Sequence, residues 1–137
     1  AGLKTAVRTH LMRLGWLDQL PDSDDTQAQS VLADLAASTQ AAIVDVLVKK
    51  TLAALKSTGL KRVVVAGGVG ANADLRAQLN QACQRRGIRV HYPELHLCTD
   101  NGAMIALAAG MRLQSGLGQP TYDPVFHVKP RWDLGSI

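Results

Sequence analysis

Two short polar turns carry the residue types that could do chemistry, and each sits at the mouth of a helix, the second of them apolar. The first is "AGGVGAN", residues 66–72. Gly67, Gly68 and Gly70 allow positive φ and let a ligand approach the backbone. The N–H groups at the start of the following helix attract phosphate or another anion. Asn72 is placed as the helix N-cap, and Asp74 falls in the first turn. The stretch has neither the Gly-Lys-Ser/Thr ending of a P-loop nor a GxGxxG spacing. A tight strand–helix turn with a capping Asn explains it equally well.

The second turn is "CTDNGAM", residues 98–104. Thr99 is expected to cap the last helix, which puts Asp100 in its first turn, where the dipole favours an ionised carboxylate. An open, ionised Asp beside Gly102 suits a hydroxyl or a metal ion. One carboxylate is not a metal site, and no His or second acid lies at ligand spacing nearby. On local sequence alone a well-capped helix is the favoured reading.

Other reactive side chains are scattered. His10, His91, His96 and His127 form no i, i+4 pair on a helix and read as surface or half-buried residues. Cys83 and Cys98 lack CxxC spacing, so neither a disulfide framework nor a zinc site is suggested, and a reducing compartment is expected. Cys83 is expected to pack on the Leu75/Leu79 face. Arg85, Arg86 and Arg89, with Lys129 and Arg131, form either a basic patch for nucleic acid or a solvated helix end. Trp132 in "KPRW" is expected to anchor the tail by burying its ring.

The elements that must position these residues follow from composition and period. Of 137 residues 47% are hydrophobic but only 4% aromatic, so the core must be built from Ala, Leu, Val and Ile. A net charge of +4 permits an acidic partner such as RNA without establishing one. There is no run of 18 apolar residues and no signal peptide, so no membrane span is expected and the cytoplasm is the expected location. Helical spacing is predicted over 2–14 and over 28–57. The second helix presents Val31, Leu35, Thr39, Ala42, Ile43, Val46 and Leu47 on one face, and Gly59 ends it. The acidic stretch 17–27 reads as an exposed loop. Residues 63–66 read as a strand buried on both faces. A helix over 72–86, with Leu75, Leu79 and Ala82 inward, leads to a second strand over 88–93 and a last helix over 99–113. The tail, with Pro120, Pro124 and Pro130, reads as irregular. The strand–helix–strand unit predicts a parallel pair with a right-handed crossover.

Taken together, "GLKTAV" (2–7), "DLAASTQAAIVDVL" (34–47), "VVAGGVGAN" (64–72), "CTDNGAMIA" (98–106) and "KPRW" (129–132) resemble, in this order, the TsaD family. These are the tRNA threonylcarbamoyladenosine synthase subunits once called O-sialoglycoprotein endopeptidases. The resemblance covers essentially the whole chain. It implies an α/β fold, the C-terminal lobe of an actin/Hsp70/sugar-kinase-like (ASKHA) architecture, with a short, mainly parallel sheet packed with helices. It also implies transfer of threonylcarbamoyl from threonylcarbamoyl-AMP to N6 of adenosine 37 of tRNA. By that resemblance Asn72, Gly67 and Gly68 face the adenylate ligand (threonylcarbamoyl-AMP or ATP), and Asp100 is one ligand of a divalent metal, iron or zinc. No residue here is assigned to deprotonating the attacking amine.

The sequence also departs from the family pattern. The family's His-x-x-x-His helix and "SGGHT"-type loop are missing. Gly70 stands where Ser or Ala is frequent, and Thr39 where Phe is common. Residue 1 is Ala, which with these gaps suggests residues 1–137 are a single lobe of a longer protein without its N-terminal lobe. Such a chain alone is expected to be inactive. The implied partners are tRNA and TsaB- and TsaE-type proteins, with no membrane. Met104, Ile105, Leu107 and Met111 are expected to form an apolar patch that drives self-association. The alternative is a non-catalytic nucleotide-binding or protein-interaction module. A metallo-glycoprotease is the weakest reading, because no HExxH or Ser/His/Asp arrangement is visible.

Overall fold

Helical periodicity in the first 58 residues becomes two helices, each stopped by a glycine. A computed structural model describes residues 2–119. Helix α1, Leu3–Leu14, ends at Gly15, whose φ of +74° is a left-handed C-cap. Helix α2, Thr26–Thr58, ends at Gly59 with φ +69°. The acidic loop does more than face water. The Asp25 side chain caps α2 by accepting from the Ala28 N–H at 2.9 Å, and Gln29 Nε2 donates to the Pro21 and Asp22 carbonyls.

Strands β1, Arg62–Val64, and β2, Arg89–His91, pair in parallel, with Arg62 opposite Arg89 and Val64 opposite His91. The Val65 N–H continues the ladder to the His91 carbonyl at 2.9 Å. Helix α3, Ala73–Gln84, makes the crossover. A short 3-10 turn, Leu95–Leu97, follows β2, and helix α4 spans Gly102–Gln114. The architecture is mixed α and β around a two-stranded parallel sheet. By contact density the chain divides into two compact units, residues 1–99 and residues 100–137.

The core of the first unit is Leu55 of α2 with Leu79 and Cys83 of α3. Val48, Leu52, Val63, Val65, Ile88 and Val90 pack around them. That arrangement corrects the expectation of a strand covered on both sides. Val63 and Val65 turn toward the helices, but Val64 is 72% exposed. Among the described residues helices cover only one face of the sheet. The α2 stripe also differs. Val31, Leu35, Thr39 and Ala42 of the predicted face are half-buried and Ile43, Val46 and Leu47 exposed, whereas the buried positions are Ala28, Val44 and Leu55. On α3 the predicted Leu75 and Leu79 are buried, with Cys83 completing the stripe and Ala82 half-buried.

By length and composition α2 is apolar enough to cross a membrane, although no uninterrupted apolar run reaches that length. Thr39, Gln40 and Asp45 interrupt it, and its buried positions are taken by contacts inside the first unit.

Both cysteines are free and buried. Burial pushes the Cys83 thiol above its ordinary 9.0, with Arg86 opposing. Burial likewise raises Tyr92 above 10.0, opposed by the Arg76 charge and reinforced by Cys83. Both groups therefore hold more protons folded than unfolded. Their contribution to stability is complete below the unfolded values and is lost as pH rises through the folded ones. The denaturant midpoint is expected to fall as pH rises above the ordinary thiol and phenol values of 9.0 and 10.0, and Cys83→Ala should flatten part of that slope.

Candidate functional site

The glycine turn is built by one residue with an unusual backbone and one that is buried against its own strand. Gly67 adopts φ +87° with ψ 168°, a region open essentially to glycine alone. Gly68 and Gly70 have negative φ, so positive φ is needed at one of the three predicted positions. Gly70 is buried instead. A Cβ there would lie 3.4 Å from Val65 Cγ1 and 3.5 Å from the Val65 carbonyl oxygen, ordinary contact that a small residue could make. A 3-10 turn, Gly68–Ala71, stands between Gly67 and α3.

Asn72 caps α3 as predicted: its side-chain oxygen accepts the Leu75 N–H at 2.9 Å. Its amide also has a second partner, with Nδ2 donating to Gln40 Oε1 of α2 at 3.1 Å. Asp74 lies in the first turn of α3, its carboxylate held by Gln78 Nε2 at 3.0 and 3.1 Å. That carboxylate competes with any incoming anion for the positive end of the helix.

Between α2 and the turn lies an open groove of about 770 Å³, large enough for a nucleotide. Ala36, Ile43, Val44, Leu47, Val69 and Leu75 give it apolar walls, and Gln40 and Asn72 set two amides at its edge. Gly68 is on the wall; Gly67 shapes the turn without lining the groove. Among the described residues no Lys or Arg lines it. The groove therefore offers apolar contact and neutral hydrogen bonding, which suit a base or ribose, and leaves any phosphate to backbone N–H groups.

Sequence reasoning missed Arg76. Its Nε donates to the Gly70 carbonyl at 2.6 Å, and Nη2 reaches the Pro93 carbonyl and Cys98 Sγ, both at 3.3 Å. Its guanidinium also lies 4.4 Å from the centre of the Tyr92 ring. One side chain thus fastens the glycine turn to the segment that follows β2. The available signal was its place one helical turn after Asn72, on the same face of α3.

In the second unit, Asn101 caps α4, its side-chain oxygen accepting the Met104 N–H at 3.1 Å. This corrects the assignment of Thr99 as cap and of Asp100 to the first turn. Thr, Asp and Asn are all competent caps, Asn among the strongest, and Gly102 then begins the helix. Asp100 lies before the cap, exposed. No group of three His, Cys, Asp or Glu side chains poised for a metal occurs among the described residues. Asp100 alone does not make a metal site.

Gly67, Gly68 and Asn72 belong to the first unit and Asp100 to the second. His10, His91 and His96 are exposed, and His96 Nδ1 lies 3.4 Å from Glu94. His127, Lys129, Arg131, Trp132 and the predicted irregular tail lie outside the described residues.

The model of the TsaD family, described as tRNA N6-adenosine threonylcarbamoyltransferase, matches residues 1–107. A protein of that name from Acidovorax sp. (strain JS42) is 67% identical over 137 residues, covering 100% of this chain and 36% of the relative. One from Polaromonas sp. (strain JS666) is 69% identical over 134 residues, covering 98% of this chain and 36% of the relative. A third, from Paracidovorax citrulli, is 66% identical over 137 residues. The chain thus spans just over a third of the length of these relatives. Since the match runs through the glycine turn, Asn72 and Asp100, this chain belongs to the TsaD family.

Proposed function

We propose that this chain is the C-terminal, nucleotide-facing part of a tRNA N6-adenosine threonylcarbamoyltransferase with an ASKHA architecture. The parent transfers threonylcarbamoyl from threonylcarbamoyl-AMP to N6 of adenosine 37 and releases AMP. The observation that carries this reading is the groove beside the glycine turn, in a chain 67% identical to a transferase of that name. Apolar walls take the adenine, and the Asn72 and Gln40 amides fix its edge or the ribose. Gly67 shapes the turn so that the backbone at Gly68 lies on the groove wall, where N–H groups can meet the phosphate against the opposing charge of Asp74.

Asp100 contributes one ligand to an iron or zinc site whose other ligands lie outside this chain. No catalytic step is assigned to residues here, and the isolated chain is inactive. tRNA and TsaB- and TsaE-type proteins are the partners, and the reaction takes place in the cytoplasm.

The test is made in the full-length protein that contains this sequence, by mass analysis of nucleosides from its tRNA product. Asp100→Ala is expected to lower the rate by at least about 100-fold and to lower bound metal. Asn72→Ala should weaken adenylate binding about 10-fold, the size of one lost hydrogen bond. Full activity in both variants refutes the assignment. Activity of the 137-residue chain alone refutes its dependence on the rest of the parent.

The exposure of Ile105, Leu107 and Met111, at 73%, 66% and 61%, supports self-association of the isolated chain. Sedimentation is expected to give a dimer or larger species at micromolar concentration, and Ile105→Glu should shift it toward monomer.

A further inference from the structure

One end of the first unit gathers cations from four segments. The parallel strands both begin there, with Arg62 paired to Arg89 and the Arg89 N–H bonded to the Lys61 carbonyl at 2.9 Å. Helices α2 and α3 both finish there, bringing Lys56, Arg85 and Arg86. All six side chains belong to exposed residues. No Asp or Glu occurs in 46–73 or in 75–93. The ion pairs among the described residues are Lys49–Asp45 and His96–Glu94, so none of the six is neutralised by a carboxylate. The two helix C-termini offset only about half a charge each. The rest is a concentrated positive field in a chain whose net charge is +4.

We propose that this end, Lys56, Lys61, Arg62, Arg85, Arg86 and Arg89, is where the phosphate backbone of the tRNA substrate docks. The inference rests on the transferase reading. Four of the six are Arg, whose planar fork matches phosphate oxygens. Among the described residues the cation–π pair is Arg76 with Tyr92 and involves none of the six, and contacts from these cations to phosphate read backbone and carry no sequence information. The 12 residues of α3 separate this end from Asn72 by about 18 Å. The phosphates held here therefore belong to a stem remote from the modified base, and the face fixes orientation rather than chemistry.

The experiment measures binding of the 137-residue chain to an unmodified tRNA transcript by fluorescence anisotropy across 50–200 mM salt. Far-UV circular dichroism checks each variant's fold. The wild-type chain is expected to lose about 100-fold or more in affinity over that range, as several phosphate contacts require. The triple variant Lys61→Ala/Arg62→Ala/Arg89→Ala should lower the log–log salt slope by about 2–3 and weaken binding at least 10-fold at 100 mM salt. The control Lys4→Ala/Arg8→Ala on α1 should stay within about twofold of wild type.

Failure of the wild-type chain to bind tRNA at 50 mM salt overturns the proposal, as does an unchanged slope in the triple variant. Salt-insensitive binding of an acidic amphipathic peptide in the groove lined by Leu52, Leu55, Leu60 and Ile88, with tRNA left unbound, overturns it in favour of a protein partner. Catalysis is scored separately. A parent that makes modified tRNA while the triple variant binds normally leaves the transferase reading intact and removes this face from it. A parent that never modifies tRNA removes the reading itself.

Discussion

Leu79→Ala is expected to lower the unfolding free energy of this chain by about 3 kcal/mol, within the range of roughly 2–5 for a buried Leu. Leu79 is 1% exposed and sits in the middle of a small core with Leu55 and Cys83. Few other groups are fully buried, so little surrounding structure can collapse into the space left behind. A domain of this size has about 5–15 kcal/mol in total, so the loss is a fifth or more of its stability. A urea titration followed by circular dichroism measures the change. Val64→Ala is the matched control, a deletion at a side chain that is 72% exposed, with an expected cost under about 0.5 kcal/mol. A smaller loss at Leu79 than at Val64 would mean that the packing centre lies elsewhere.

Arg76→Ala should cost about as much, near 3 kcal/mol, by a different route. It removes three donated bonds, to the Gly70 and Pro93 carbonyls and to Cys98 Sγ, together with the contact to the Tyr92 ring. A bond from a charged donor contributes about 1.5–3 kcal/mol, and the exposed part of this side chain keeps the sum well below simple addition. Arg76→Lys keeps the charge but not the fork, and less than half of the loss should be recovered. Amide exchange gives the local signature. Protection should fall in the glycine turn and around Cys98 while the first half of α2 is unchanged. Uniform loss along the chain would show that Arg76 contributes only to global stability.

What could be read from the sequence was what local chemistry decides. Gly59 stops α2 and Asn72 caps α3 because each acts on neighbours within four residues. The parallel crossover followed from a β-branched run, a helix and a second run in order. Local chemistry gave no answer where it allowed several. Thr99, Asp100 and Asn101 are consecutive cap formers, and the choice of Asn101 moved Asp100 out of the helix. The valine run at 63–65 showed a strand but not which of its faces is covered. Arg76 was invisible because its partners lie 6, 17 and 22 residues away. On α2, a helix apolar around much of its surface, periodicity could not pick out the stripe through Val44 and Leu55.

The parallel pairing of β1 and β2 also sets an order of events. Val64 and Arg89 lie on neighbouring strands, yet residues 65–88 must be traversed between them. Two strands joined in this way cannot zip from a tight hairpin turn, so closure waits for the crossover to form. Helices α2 and α3 can form within microseconds, and Leu55 packed on Leu79 joins them without any strand pairing. Pairing of the sheet is therefore expected to follow formation of α3. During synthesis on the ribosome, β1 emerges well before β2, and the two cannot pair until the chain has been extended past His91.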